Sequence, residues 1–359
     1  MLAAVRDAVD AAVHNTTRSR YGSFTPSTCS SSRPSRHNRL SSSAKANVRL
    51  AIEHAWAKST LKKYGQGVAA FERFCDLESV PHSQHLPADK FLLCAFTASR
   101  AGEVAGVTAR GAVAAVKAWH IMNDAPWMGN IRLCYTLRGV ENLTPSSSRC
   151  DQRPPVTAAM LDALDKNLDH NDPRDAAVFA SVCCAFWGQI RISKILSETQ
   201  NSFIPGWIPL VSDLAPPSSH AGSRILKLPH TKTKGNRGNS SMLCRQQGAS
   251  DPIKAVENHL LVKAIPDNLP LFLHRNRAGG LICLTCKKLM LRYNVVWAAL
   301  GHPVSTGHSF RIRGTTELLL AGVSPSVVQA MGHWLSDVFL VYWRRLDLLA
   351  PLHAEYLEL

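Results

Sequence analysis

Acidic residues are in short supply in this chain: 26 Asp and Glu stand against 41 Lys and Arg, leaving a net charge of +15. Such an excess is the electrostatic footprint of a polyanion binder, nucleic acid first among them, or else of a solvated basic surface or tail. Long apolar runs are missing as well. The longest uncharged stretch, Ala176 to Ile190, falls short of the roughly 20 residues a membrane span needs and contains Gln189, so it predicts a core helix and no membrane partner. At the N-terminus, MLAAVRDAVDAAVHN breaks its apolar residues with Arg6, Asp7 and Asp10, which leaves no continuous secretory signal and no expectation of export. The ten cysteines lack even spacing, and Cys183 and Cys184 fall inside the apolar stretch. Reduced, buried thiols in an intracellular protein are expected. Cys283 and Cys286 form a CxxC with no second pair at zinc-finger spacing, and no carboxylate cluster accompanies His302, His308 and His333, so no metal or other cofactor is expected.

What is present falls into two helical blocks. Residues 1–45 read as a disordered basic arm, because RSRYGSFTPSTCSSSRPSRHNR carries too little apolar surface to fold alone. Residues 46–143 show helical periodicity. Trp56, Thr60, Tyr64, Val68, Phe71 and Phe74 recur at three- and four-residue steps, and Ala88 to Ala98 and Ala112 to Ile121 repeat the pattern. A small bundle is predicted, its aromatic stripe in the core and Lys58, Lys62, Lys63 and Arg73 on faces that can meet phosphate. Residues 144–155, TPSSSRCDQRPP, read as a linker.

Residues 156–359 form the second block. Thr157 can cap one helix, and Asp172-Pro173-Arg174-Asp175 supplies a cap, a first-turn proline and an acidic N3 for the next, which is the apolar one. SRILKLP followed by TKTKGNRGNS reads as a β-hairpin. Helices are predicted at Ile253 to Ala264, Cys286 to Ala298, His308 to Leu320, Pro325 to Met331 and from Ser336 onward, with Gly322 at a C′ position. The fold class expected is mainly α, with one small antiparallel sheet in the second block.

Near the C-terminus stands GHSFRIRGTTELLLAGVSPSVVQAMGHWLSDVFLVYWRR. Its His308-x-x-Arg311 pair on a helix, then His333, then Tyr342 nine residues further on, resemble the tyrosine recombinase or phage-integrase family in residue type, order and spacing. Upstream, Arg191 after the apolar helix and Lys232 in the hairpin turn stand where that family places its first arginine and its lysine. The resemblance runs from about residue 46 to the end. Trp56, Thr60, Tyr64, Phe71 and Phe74-Cys75, with Arg153-Pro154-Pro155-Val156-Thr157 at the junction, are similar to fungal recombinases of mobile-element origin.

The chemistry asks for these residue types. Attack on a phosphodiester by a phenol crowds negative charge onto phosphorus, so catalysis is chiefly positioning and electrostatic stabilisation. Arg191 and Arg311 offer planar forks that stay charged, His308 and His333 add hydrogen bonds, and Tyr342 is the nucleophile. A lysine on the turn can protonate the leaving 5′ oxygen; Lys232 is the first choice and Lys234, in the same basic turn, the second. The resemblance implies a two-domain clamp on double-stranded DNA, a 3′-phosphotyrosine intermediate, a homotetramer on two DNA sites, and, for a fungal relative, a nuclear location. Two positions depart from the family pattern. Lys194 stands where a carboxylate is usual, and Arg313 where a small residue is common. A decayed mobile-element copy that binds DNA without cutting it is the rival expectation, and relaxation in the manner of a type IB topoisomerase the nearest enzymatic one.

Overall fold

Polar caps written into the sequence set where most of the helices begin. The computed structural model describes residues 40–148, 156–230, 238–262, 265–334 and 351, and the chain divides into two units, 1–151 and 152–359. Most of the expected arm, and residues 149–155 of the linker, lie outside the described residues. So does the helix expected from Ser336 onward.

In the first unit, Ser41 caps α1 (Ser42–Glu53), its Oγ accepting from the Ala44 N–H at 3.1 Å. That helix starts ahead of residue 46. Helix α2 (Lys58–Leu77) buries Val68, Phe71 and Cys75. Trp56 falls just before it, so the aromatic stripe is shorter than the sequence suggests, although the Trp56 ring still meets Tyr64 edge-on at 6.1 Å. Asp89 caps α3 (Lys90–Ala98), α4 spans Gly106–Met122, and Asn130 caps α5 (Ile131–Asn142). Phe71 meets Phe96 edge-on at 5.2 Å in the core these helices share. Also buried there is His120, whose Nε2 accepts from the Ala88 N–H at 2.9 Å. Its proton therefore sits on Nδ1, which donates to the Val116 carbonyl at 2.8 Å. Burial holds this imidazole below its ordinary pKa.

In the second unit, Thr157 and Asp172 cap α6 (Ala158–Asn167) and α7 (Pro173–Trp187), as the sequence predicts. Ala176 through Phe186 of α7 are all buried, so this helix is the axis of the core. Burial pushes the Cys183 and Cys184 thiols up, which keeps them protonated and unreactive. Cys134, in the first unit, is exposed, unlike the buried thiols expected. Next come β1 (Leu214–Pro217), β2 (Arg224–Leu228) and β3 (Asn239–Leu243), an antiparallel sheet in that order, with Leu228 opposite Asn239. Helix α8 (Pro252–Leu261), a ribbon of β4 (Leu273–Arg275) and β5 (Leu281–Cys283), and helices α9 (Cys286–Ala299), α10 (Gly307–Leu320) and α11 (Pro325–Met331) follow. The fold is mainly α. It carries two small antiparallel sheets where one was expected, because β1 and the ribbon strands are too short to show an alternating pattern. Among the described residues no helix is long and apolar enough to cross a membrane.

Two long-range ties join α9 to α6 and to α7. The Trp297 indole donates to the Met160 carbonyl at 2.9 Å, and Arg292 grips Asp175 with two nitrogens, at 2.8 and 2.6 Å. A planar fork on a mostly buried carboxylate is the strong form of an ion pair. Helix α10 comes closer still. A Cβ at Gly314 would collide with the carbonyl of Phe186. Gly314→Ala is therefore expected to lower unfolding free energy by about 3 kcal/mol, since backbone cannot step aside as a side chain does. Urea denaturation followed by tryptophan fluorescence measures it; a loss below 1 kcal/mol would mean that the two helices separate easily.

Candidate active site

Helix α7 ends in a left-handed turn. Gln189, at the C′ position, has φ 51°; its N–H donates to Phe186 O, and the next N–H, of Ile190, donates to Ala185 O. This is the Schellman arrangement, usually completed by glycine. Helix α11 closes the same way: His333 has φ 54°, and the His333 and Trp334 N–H groups reach back to Ala330 O and Gln329 O. Helix α10, by contrast, uses the expected Gly322.

Arg311, on α10 and only 3 % exposed, ties the two turns together. Its Nη1 donates to the Gln189 carbonyl at 2.8 Å and its Nη2 to the Gly332 carbonyl at 2.5 Å. The guanidinium also lies over the Trp334 ring, 3.7 Å from the centroid. Helix C-termini carry partial negative charge and an indole face attracts cations, so the buried charge is received by both. Gln189 adds a second tie: its Oε1 accepts from the Thr315 hydroxyl at 2.9 Å and its Nε2 donates to Val328 O at 3.3 Å. Gly332 permits the approach, for a Cβ there would lie 2.6 Å from Gln189 Oε1.

A cleft opens over this junction. Its lining is Gly188, Gln189, Ile190, Arg191 and Lys194 from the end of α7 and the turn after it, Leu228, Asn239 and Ser241 from the hairpin, then Arg311 and His333. Arg191 is exposed, Lys194 and His333 half-buried. Among the described residues the lining holds Arg191, Lys194 and Arg311 and no acidic side chain. Three residues singled out from sequence, Arg191, Arg311 and His333, thus meet at one place although they are far apart along the chain. His308 sits one turn before Arg311 on α10, half-buried in the first turn. That turn packs against Ile192, since a Cβ at Gly307 would come within 3.1 Å of its side chain. Lys232, Lys234 and Tyr342 lie outside the described residues. The paired ends of the hairpin from which the Lys232 turn departs, Leu228 and Asn239, are themselves cleft residues. In the first unit Lys58, Lys62 and Lys63 are exposed on α2.

Lys194 is the cation that sequence reasoning undervalued. One turn of 3₁₀ helix beyond Arg191, its Nζ lies 3.4 Å from His230 Nδ1. An ammonium only donates, so His230 accepts and is neutral there, with its proton on Nε2. Burial first, and the adjacent Arg191 charge second, lower the Lys194 pKa. Burial and then Lys194 lower that of His230, whose ring stacks on Trp207 at 4.3 Å. Arg313 departs less than it seemed to: its Nε pairs with Glu317 at 2.5 Å, four residues on along α10. Sequence reasoning also missed Gln189 and Trp334 as parts of the site. An amide directly after the most apolar helix was the signal for the first.

No family model matches the sequence, and no curated protein matches it. Solved structures do. The chain is similar to the XerH site-specific recombinase bound to palindromic difH substrate in a post-cleavage complex, at 15% identity over 78% of this chain and 75% of that one, with a TM-score of 0.53. It is also similar to the Tn1549 transposon integrase in complex with transposon right end DNA, at 13% identity over 82% and 92%, again at 0.53. At such identities the likeness is one of fold. The fold is that of site-specific recombinases and transposon integrases, with the cationic cleft at the end of its central helix.

Two substitutions separate the roles at the junction. Gln189→Leu keeps the bulk and removes two buried hydrogen bonds, while the Thr315 hydroxyl keeps its bond to the Arg311 carbonyl, so a loss of about 2 kcal/mol in urea unfolding is expected. His333→Gly suits the left-handed turn better, so the unfolding free energy should stay within about 1 kcal/mol of wild type. A collapse of His333→Gly would mean that the imidazole holds the fold together.

Proposed function

We propose that this chain is a tyrosine recombinase that cleaves and rejoins double-stranded DNA through a 3′-phosphotyrosine, in the site-specific recombination or integration of a mobile element. The observation that carries the reading is the cleft itself, in which Arg191, Arg311 and His333 converge with Lys194 and without an acidic side chain among the described residues. Such a lining suits a phosphodiester that gains charge in its transition state. Arg191, exposed at the rim, clamps one non-bridging oxygen; Arg311 acts from the floor, where it also fixes the rim. His333 and His308 donate hydrogen bonds to the phosphate. Tyr342 supplies the attacking oxygen and Lys232, or Lys234 beside it, the proton for the departing 5′ oxygen. Religation reverses these steps, and the covalent bond to phosphorus conserves the energy, so neither nucleotide nor metal is required. Residues 46–143 serve as the helical core-binding domain, with Lys58, Lys62 and Lys63 against phosphates, 144–155 as the linker and 156–359 as the catalytic domain; the arm expected over residues 1–45 is shorter, because α1 already begins at Ser42. A homotetramer on two DNA sites, in the nucleus of a fungal host, completes the proposal.

Two observations favour a second reading. Arg311 is engaged by two backbone carbonyls, and Lys194 adds charge beside Arg191 where the family pattern places a carboxylate. Both fit a protein that grips DNA without cutting it. A duplex nicked next to the scissile phosphate decides, because the released fragment cannot rejoin. Wild type is expected to accumulate a covalent protein–DNA adduct, Tyr342→Phe none, and Arg191→Ala at least about a hundredfold less, from the 2.7–4 kcal/mol typical of one lost transition-state donor. Binding without any adduct would establish the second reading. In either case affinity for duplex should fall steeply with salt, as phosphate contacts require; a flat response would remove DNA as the partner.

A further inference from the structure

In the first unit, at the C-terminal end of α2, three side chains of metal-ligating type come together. Helix α2 closes in a left-handed turn at Ser79 (φ 54°), with the Val80 N–H donating to Cys75 O at 2.8 Å. The turn sends the chain back past the helix end, and the short 3₁₀ turn His82–Gln84 follows at once. One ligand atom each of Asp76, His82 and His85 lies within 4.8 Å of the others. The two imidazoles are 4.7 Å apart between ring centroids.

Two further features distinguish this corner from a chance meeting of polar side chains. The first is orientation. His85 is 4 % exposed, and its Nε2 lies 3.0 Å from the Val80 carbonyl. A carbonyl only accepts, so that nitrogen carries the proton and Nδ1 holds a lone pair. Metal-ligating histidines are fixed in this way by a bond from the other ring nitrogen. The second is a carboxylate in want of a partner. Glu72, one turn before Asp76 on α2, has its Oε2 buried with no hydrogen-bond partner in the described structure. Burial and the Asp76 charge raise its pKa, and His82 lowers it, so the three groups share one electrostatic neighbourhood. A divalent cation held between the Glu72 and Asp76 carboxylates would relieve their mutual repulsion.

We propose that Asp76, His82 and His85 bind a divalent transition-metal ion of the zinc class, with Glu72 beside them as a fourth ligand and second carboxylate. Two imidazoles with carboxylate oxygens suit zinc, cobalt or nickel and not the all-oxygen shells of calcium or magnesium. The ion would clasp the end of α2 to the segment leading into α3. Its role is structural and independent of the cleft.

The test uses the full chain stripped of metal with a chelator and titrated with Co²⁺, then with Zn²⁺ against a chromophoric competitor. One equivalent should bind, with visible Co²⁺ bands of nitrogen and oxygen ligands and no sulfur charge-transfer band. Asp76 and His82 are exposed, so Asp76→Asn and His82→Ala should fold as wild type does, and each should weaken binding at least about tenfold. His54→Ala, an exposed histidine elsewhere, should bind unchanged. Zn²⁺ should raise the thermal midpoint of wild type and not of His82→Ala. Absence of binding, equal binding by wild type and both site variants, or a sulfur band pointing to cysteine ligation would each overturn the proposal.

Discussion

One buried guanidinium governs the geometry of the second unit. Arg311 donates to the carbonyls of Gln189 and Gly332, and each of these sits where a helix has just ended. The residues that line the cleft come next along the chain: Arg191 shortly after Gln189, and His333 directly after Gly332. Drawing two helix ends onto one planar group therefore positions two side chains of the cleft lining, Arg191 and His333. Lysine could not replace it, because a single ammonium lacks the fork needed to hold two carbonyls at a set angle. The stacked Trp334 and the C-terminal dipoles offset the cost of burying the charge.

A cleft lined by cations is unfavourable in the isolated protein, and the structure shows where that cost is met. Lys194 and Arg191 stand close enough for one to lower the pKa of the other, and His230 remains neutral beside them. The Asp175 and Arg292 pair, the apolar length of α7 and the Gly314 contact with Phe186 are the rigid elements behind the lining. Repulsion stored in a stiff frame is the arrangement expected of a site waiting for an anion, since binding then relieves what folding had to tolerate.

Much of this was legible in the sequence, and the reason differs by level. Helix starts were readable because caps are local: Thr157 and Asp172-Pro173 each announce themselves within four residues. The hairpin was readable from its turn-rich connection. Strand β1 and the ribbon of β4 and β5 were not, because strands of three or four residues carry no periodicity. At the site, residue types and spacing singled out Arg191, Arg311 and His333, and the structure brings those three to one cleft. What Arg311 does there was hidden. A bond from a side chain to a distant backbone carbonyl leaves no trace in residue type, and neither do the left-handed turns at Gln189 and His333, which glycine would have signalled. Lys194 looked like a lost carboxylate and Arg313 like an intruding cation; the structure gives the first a place in the lining and the second an acidic neighbour.

The claim that one side chain holds the site together is tested most directly by hydrogen–deuterium exchange on Arg311→Lys, which keeps the charge and loses the fork. The account predicts that amides of α11 and residues 332–334 exchange at least about tenfold faster, a loss of about 1.4 kcal/mol in local opening, while β2 and β3 keep their protection. Unchanged exchange across α11, or an equal loss throughout the unit, would contradict it.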